Sequence, residues 1–283
     1  MKMKLTHVFV ITAVSFSLLV SNHLFAKELK INVSNNVQTN EKFNSIDFEK
    51  FFEGVDGCAV FYSVKNNTYD VYNKEMLDIR EMPCSTFKII SSLAGLKYGI
   101  IQDENTILKW DGSKQMMKEW EQDLSLKSAF KLSTNWYFDK IDKQIGLDNM
   151  NNILKEINYG NLNLTDNGPI GESTLKISPM EQLDLIKRLF NDELPFEKEH
   201  MKIVRNIMLT SDEKGELYGK TGTSGPFFLE DGAQTAWFIG DYKTKEDDFY
   251  FAVRIYGDKN NKNITGPYTQ TIVKNICEEI YYK

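Results

Sequence analysis

The chain has 283 residues and a formal net charge of −6. Hydrophobic residues make up 41% of it and include 18 Phe, 13 Tyr and 4 Trp, enough for a sizeable core, which excludes a disordered or fibrous protein. No run of five basic residues occurs, so binding to nucleic acid, which depends on clustered Lys and Arg, is not expected. The composition fits a globular protein of one or two domains that acts on a small molecule.

Residues 1–26 differ in composition from the rest of the chain. Lys2 and Lys4 precede an uncharged apolar stretch, Val8 to Val20, and the small residue Ala26 follows. This order is typical of a secretory signal peptide, and the apolar stretch is shorter than the roughly 20 residues that span a bilayer. We predict a signal peptide over 1–26 that is cleaved near Ala26 and a secreted protein outside the cytoplasmic membrane. A retained anchor is the alternative, and membrane association is expected only transiently through this segment.

The predicted strands lie towards the two ends of the mature chain. Apolar and β-branched runs bounded by polar turns predict five of them: Cys58 to Val64, Tyr69 to Tyr72, Glu216 to Lys220, Thr235 to Tyr242 and Phe249 to Tyr256. Between Ser85 and Thr210 the apolar spacing becomes helical. Thr269 to Tyr282 also has helical spacing, with its apolar residues on one face.

These elements predict an α/β protein of the α+β type. We expect a five-stranded antiparallel sheet, built from residues 57–80 and 214–283 and flanked by N- and C-terminal helices. An all-helical region, 85–212, is inserted between the two halves of the sheet, and a cleft is expected where sheet and helical region meet. No repeat or Pro/Gly-rich linker divides the chain, so residues 27–283 are predicted to form a single catalytic domain.

The first candidate for chemistry is Ser85-Thr86-Phe87-Lys88. A serine and a lysine three residues apart lie one helical turn apart, so the amine can take the hydroxyl proton and create a nucleophile. Only Ser85 follows Met82-Pro83-Cys84 and opens a strongly apolar helix, which leaves its backbone N–H free to act as an oxyanion donor. The same spacing also occurs at Ser128, Ser173 and Ser211.

Metal and histidine chemistry have little support. Cys58, Cys84 and Cys277 are scattered with no Cys-x-x-Cys pair, so we expect no metal and small apolar cysteine side chains in the core. Removal of residues 1–26 would leave His200 alone, in a charged segment with no nucleophile motif beside it. We therefore expect neither a Ser-His-Asp triad nor a bound cofactor.

Three more motifs follow Ser85: Ser133-Thr134-Asn135, Tyr159-Gly160-Asn161 and Lys220-Thr221-Gly222, the last continued by Thr223. Ser-x-x-Lys, Ser-x-Asn and Lys-Thr-Gly in this order are the signature of penicillin-recognising serine acyl-transfer enzymes. With Tyr-Gly-Asn among them, the chain resembles the class D serine β-lactamases and the related sensor domains of penicillin-sensing receptors. The resemblance extends from about Gly57 to the C-terminus and includes Lys109 to Gly112, Trp120 to Leu124 and Leu175 to Gln182.

The resemblance implies the serine β-lactamase/penicillin-binding fold and an exported resistance enzyme that hydrolyses the lactam amide of penicillin-like antibiotics through an acyl-enzyme on Ser85. A small-molecule β-lactam would be its partner, with no nucleic acid and no protein partner. By resemblance, Lys88 is the base, Ser133 relays protons, and the backbone N–H groups of Ser85 and Thr223 form the oxyanion hole. The remaining candidates are the substrate-binding residues Lys220, Thr221, Gly222 and Asn135, together with Tyr159 and Glu172.

Two positions depart from the class D pattern. In class D enzymes carbon dioxide carbamylates the Ser-x-x-Lys lysine, and a Val and a Trp keep that group in a dry pocket. Here Asn135 and Ile170 take those places, so a plain amine on Lys88 is favoured over a carbamate and slow deacylation is expected, as in the sensor domains. A carbamate on Lys88, which added bicarbonate would promote, stays open as the alternative. Glu172 is an alternative water-activating carboxylate. The family's carboxylate-binding Arg has no counterpart in Ile264 to Tyr268.

Two alternatives to a β-lactamase stay open. One is a sensor-like protein that is acylated by penicillins and deacylates very slowly, and the other is a D,D-peptidase. A receptor needs a transmembrane segment and a cytoplasmic effector. Val8 to Val20 is only a marginal candidate for the transmembrane segment, so the enzyme is favoured. Tyr159-Gly160-Asn161 argues against the peptidase.

Overall fold

The computed structural model describes residues 42–165, 168, 174–211, 213–225, 233–258 and 260–282. Lys42–Lys283 forms one compact unit, to which all of these residues belong. The predicted signal peptide, residues 1–26, lies outside the described residues, as do Ile170 and Glu172. No helix within the described ranges is long and apolar enough to cross a membrane.

The core of the structure is a mixed seven-stranded sheet with the strand order β1-β3-β2-β9-β8-β7-β6. Strands β4 and β5 form a separate pair. The strands are β1 (Lys42–Ser45), β2 (Asp56–Ser63), β3 (Thr68–Tyr72), β4 (Ile107–Leu108), β5 (Leu124–Ser125), β6 (Leu209–Ser211), β7 (Glu216–Thr223), β8 (Ala233–Lys243) and β9 (Asp248–Asp258).

The predicted fold class is confirmed, with a correction to the number of strands. All five predicted strands are present as β2, β3, β7, β8 and β9. The prediction missed β1, which pairs parallel to β3, and the three-residue β6 at the other edge. Both are short and mostly polar edge strands, so neither shows the alternation that marks a half-buried strand.

Helices make up most of the region 85–212, but the prediction that it is all-helical is wrong, because it also contains the β4–β5 pair and β6. The helix before β2 is, within the described residues, only a 3-10 turn over Glu49–Phe52, so the predicted N-terminal flanking helix is not found there. A C-terminal helix follows β9 as expected. The α-helices are α1 (Lys88–Lys97), α2 (Leu126–Leu132), α3 (Asn135–Ile145), α4 (Leu147–Ile157), α5 (Pro179–Phe190), α6 (Lys198–Met208) and α7 (Gly266–Ile276).

The sheet separates two apolar clusters. Side chains of β8 alternate across it: Trp237 and Ile239 pack with the helical region, whereas Ala236 and Phe238 pack with α7 and the Glu49–Phe52 turn. Both faces of the central strands are therefore covered, which explains why β8 is buried from Gln234 to Tyr242. Cys58, Cys84 and Cys277 are buried without disulfides, which confirms their prediction as core side chains.

The Tyr159-Gly160-Asn161 motif closes a loop between α4 and α5. Asn161 donates from its backbone N to Lys176 O at 2.9 Å and from Nδ2 to Thr174 O at 2.7 Å, while its Oδ1 accepts from Lys176 N at 2.9 Å. Gly160 has a φ of +55°, and a Cβ there would lie 2.1 Å from Lys176 O. Only glycine permits this close approach of two backbone segments.

Gly160→Ala should therefore destabilise the protein by about 3–4 kcal/mol, because it combines left-handed strain with a backbone clash. Gly99→Ala is the matched control: Gly99 has a φ of +67° but nothing within 4 Å of its Cβ position, so about 1–2 kcal/mol is expected. Urea unfolding of both variants measures the difference. Equal destabilisation would contradict the role of Gly160 in closing the loop.

Candidate active site

Ser85 lies in a 3-10 turn, Cys84–Phe87, that runs directly into α1. Cys84 has a φ of +53°, a left-handed conformation that is strained for a residue with a side chain. Cys84 and Thr86 are buried, whereas Ser85 is partly exposed. The strained turn thus holds the Ser85 hydroxyl at the surface of an otherwise buried segment.

The sheet fixes this turn in place. Trp237 on β8 donates from Nε1 to Met82 O at 2.9 Å. On β7, a Cβ at Gly222 would lie 3.0 Å from Pro83 O and 3.2 Å from the Cβ of Cys84, so the strand packs directly against the turn. The glycine of the Lys-Thr-Gly motif therefore sets how closely β7 approaches Ser85.

Lys88 is fully buried one turn after Ser85. Its Nζ donates to Ser85 Oγ and to Asn135 Oδ1, each at 2.8 Å. Burial disfavours the charged amine and lowers the pKa of Lys88 to about 8, against the opposing influence of the Asp139 and Asp142 carboxylates. Near neutral pH the lysine is therefore close to the point at which it can accept a proton.

The two aspartates were not identified from the sequence. Asp139 and Asp142 follow Asn135 by four and seven residues on α3, a spacing that places all three on one helix face. Burial raises the pKa of Asp142 to about 7, and its Oδ2 accepts a hydrogen bond from Ser91 Oγ at 3.0 Å. The helical spacing from Asn135 was the signal that could have revealed them.

A second lysine approaches from β7. Lys220 is 3% exposed, and its Nζ donates to Ser133 Oγ at 3.0 Å and to Thr221 O at 2.9 Å. Burial, with a further effect from the charge of Lys88, lowers the pKa of Lys220 well below its ordinary value. Ser133 ends α2 with a φ of +55°, which turns the chain so that Ser133 and Asn135 both reach the site.

The outer edge of β7 is open beside this site. Strand β6 pairs with β7 only at Leu217 and Tyr218, so no described strand covers the edge from Gly219 to Thr223. Ser224 N donates to Thr235 O across the β7–β8 pair, and hydrogen bonds alternate along an antiparallel pair, so the Thr223 N–H points away from β8. This N–H and that of Ser85 are available to an oxyanion.

Helix α7 begins against the same strand. Gly266 N donates to Thr223 Oγ1 at 2.8 Å, and a Cβ at Gly266 would lie 2.7 Å from the Cβ of Thr221. The backbone at the start of α7 thus packs directly against the Lys-Thr-Gly strand. The chain from Ile264 to Tyr268 has no arginine, so these residues supply no guanidinium beside that strand.

Three residues considered in the sequence analysis remain: Tyr159, His200 and Glu172. Tyr159 is 2% exposed and packs edge-on against Phe87, with ring centroids 5.6 Å apart, so it is a core residue behind the turn. His200 lies half-buried on α6. Glu172 is outside the described residues. Within the described ranges, no cluster of three or more His, Cys, Asp or Glu side chains could hold a metal ion.

Residues 53–278 match the penicillin binding protein transpeptidase domain. The chain belongs to this family. It is 36% identical to the regulatory protein BlaR1 of Bacillus licheniformis over 75% of this chain and 36% of that protein. It is 35% identical to the probable β-lactamase YbxI of Bacillus subtilis over 76% of this chain and 80% of that protein.

Among solved structures, a class D β-lactamase from Sebaldella termitidis superposes with a TM-score of 0.79 at 29% identity, covering 86% of this chain and 99% of that one. These relatives confirm the resemblance to class D β-lactamases and their receptor counterparts. The chain spans 36% of the length of the BlaR1 protein and 44% of the length of the mecR1 protein that it matches.

The unusual environment of Lys88 is directly measurable. In protein labelled with [ε-13C]lysine, the Lys88 resonance, assigned from its loss in Lys88→Met, should titrate near pH 8. Asp142→Asn should move that midpoint lower, because the removed carboxylate favours the charged amine. Asp184→Asn, which removes a largely exposed carboxylate from α5, should leave it unchanged. Titration of Lys88 near the ordinary lysine value of 10.5 would contradict the buried-amine geometry.

Proposed function

We propose that this family member is an exported serine β-lactamase of the class D type, which opens penicillin-like lactams through an acyl-enzyme on Ser85 outside the cytoplasmic membrane. The observation that carries the proposal is the 2.8 Å contact between Lys88 Nζ and Ser85 Oγ. A partly exposed hydroxyl beside a buried amine with a pKa of about 8 is the arrangement expected of an activated nucleophile.

Acylation begins with transfer of the Ser85 hydroxyl proton to the neutral Nζ of Lys88. The Ser85 oxygen then forms a bond to the lactam carbonyl carbon, and negative charge develops on the carbonyl oxygen. The N–H groups of Ser85 and Thr223 stabilise that charge. Collapse of the intermediate breaks the lactam C–N bond and leaves the ring-opened substrate as an ester of Ser85.

The leaving nitrogen takes its proton from Ser133. Lys220 Nζ lies 3.0 Å from Ser133 Oγ and can return a proton to that oxygen. The same ammonium group attracts the carboxylate of the substrate, with Thr221 beside it on the open edge of β7. A bound carboxylate would also favour the charged form of Lys220, which burial otherwise disfavours.

Deacylation is proposed to be the slow step. The contact with Asn135 favours a plain amine over the carbamate found in class D enzymes, because Lys88 Nζ donates to Asn135 Oδ1 at 2.8 Å and carbamylation would remove this hydrogen bond of the amine. Lys88 therefore stays a plain amine, which after acylation must release its proton before it can activate water.

The same contact favours a second candidate function. A protein acylated quickly and hydrolysed very slowly acts as a penicillin sensor, and the BlaR1 and mecR1 proteins that this chain resembles bear regulatory or resistance names. The rate of deacylation distinguishes the two functions. A D,D-peptidase has no observation of this structure in its favour.

Ser85→Ala should abolish covalent labelling by a fluorescent penicillin, since the variant has no hydroxyl to acylate. Ser128→Ala, Ser173→Ala and Ser211→Ala remove the serines of the other Ser-x-x-Lys motifs and should all still label. Denaturing gels and circular dichroism report labelling and folding together. Labelling that survives in a folded Ser85→Ala protein would exclude the proposed mechanism.

Hydrolysis of a chromogenic lactam should show a burst of about one product per enzyme and then a slower steady rate. Asn135→Val should accelerate the slow phase at least severalfold and make it dependent on added bicarbonate, because valine removes the acceptor oxygen facing Lys88. Asn152→Val, on the exposed face of α4, is the control and should behave as the wild type.

Wild-type turnover without a burst, together with an Asn135→Val variant that is neither faster nor dependent on bicarbonate, would contradict this account of deacylation. Such a result would leave the Ser85 acyl-enzyme in place and direct attention to Glu172 as the water-activating base.

A further inference from the structure

A cavity lies where β7 and β9 begin and β8 ends. Its volume is about 210 Å³. The end of α5 and the end of α6 cover this part of the sheet. The lining residues are Phe190, Arg205, Asn206, Tyr218, Asp241, Lys243, Asp248 and Tyr250. None of them takes part in the chemistry proposed for Ser85.

Asp241 is the unusual residue of this cavity. It is 2% exposed, and its Oδ1 atom has no hydrogen-bond partner. It takes part in none of the ion pairs found among the described residues. A buried carboxyl oxygen without a hydrogen-bond partner is unfavourable. Burial, reinforced by the charge of Asp248, raises the pKa of Asp241 well above its ordinary value, so the neutral form is favoured until a cation binds beside it.

Aromatic rings surround this carboxylate. The sheet register places Asp241 directly between Tyr218 on β7 and Tyr250 on β9. Phe190 covers both tyrosines, with ring centroids 5.7 Å from Tyr218 and 5.9 Å from Tyr250. Aromatic faces attract cations through their quadrupole, so the rings and the carboxylate favour the same kind of ligand.

The cavity lining contains two cations, Arg205 and Lys243, and two acidic residues, Asp241 and Asp248. In the next row on the same face of the sheet, Glu216 pairs with Lys243 and Lys243 pairs with Asp248. Arg205 is already engaged, because it donates to Asp192 Oδ1 and Leu189 O, both at 2.6 Å. Lys243 is thus the remaining cation among the lining residues, against the carboxylates of Asp241 and Asp248.

We propose that this cavity binds a small primary alkylammonium ion. Its N–H groups would donate to the unpartnered Oδ1 of Asp241, and its alkyl stem would lie among Phe190, Tyr218 and Tyr250. The ligand therefore needs both a positive nitrogen with N–H donors and a short apolar stem. This site is independent of the acyl-enzyme chemistry, and it is present whether the protein acts as a β-lactamase or as a sensor.

Calorimetry and thermal unfolding of the full chain with n-propylammonium chloride test the proposal. Binding should be saturable, and a ligand concentration tenfold above its Kd should raise Tm by about 3 °C. Sodium chloride at equal ionic strength and 1-propanol should produce no such shift, because neither combines the charge with the alkyl stem. Tetramethylammonium, which has no N–H donor, should bind several times more weakly.

Asp241→Asn should abolish the n-propylammonium shift while the protein stays folded and still labels with penicillin, since asparagine keeps the shape of the side chain but cannot ionise. Asp184→Asn, at a largely exposed carboxylate, should keep the shift. Tyr218→Leu should weaken binding about three- to tenfold by removing one ring face. Equal shifts with 1-propanol or sodium chloride, or full binding by Asp241→Asn, would overturn the proposal.

Discussion

The site is governed by the burial of two lysines that approach it from opposite sides. Lys88 enters from a helix buried from Lys88 to Leu96, and Lys220 enters from the sheet. Desolvation disfavours the charged form of each, and the charge of Lys88 lowers the pKa of Lys220 further. Two amines in one dry site resist being protonated together, so a proton acceptor is available beside Ser85 near neutral pH.

Contacts elsewhere in the fold hold the two amines and the Ser85 hydroxyl in position relative to one another. The Trp237 hydrogen bond to Met82 O and the missing side chain at Gly222 hold the strained turn of Ser85 against the sheet. The left-handed turn at Ser133 brings two residues of one short motif to different lysines: Ser133 to Lys220 and Asn135 to Lys88. In the proposed mechanism, the contact of Asn135 with Lys88 determines how long the acyl-enzyme persists.

Sequence patterns predicted the features that depend on periodicity and on short motifs. The five longer strands, the helical insertion and the C-terminal helix follow from apolar spacing, and Ser85, Lys88, Ser133, Asn135 and Lys220 were found from motif order. Periodicity could not reveal β1 and β6, whose pairing depends on the completed sheet. Nor could it show the left-handed Cys84 or the burial of Tyr159 behind Phe87, because both depend on tertiary packing. The unpartnered Asp241 became visible only from the cross-strand register.

The most direct test of the central claim is intact-protein mass spectrometry after rapid mixing with a penicillin. We expect Lys88 to activate Ser85 quickly but, because it is hydrogen-bonded to Asn135, to activate water for attack on the ester only slowly. The whole-penicillin adduct should therefore accumulate to nearly one per protein. It should map to the peptide containing Ser85 and decay at the steady-state rate of turnover. Absence of an adduct during turnover, or an adduct on another residue, would contradict the account.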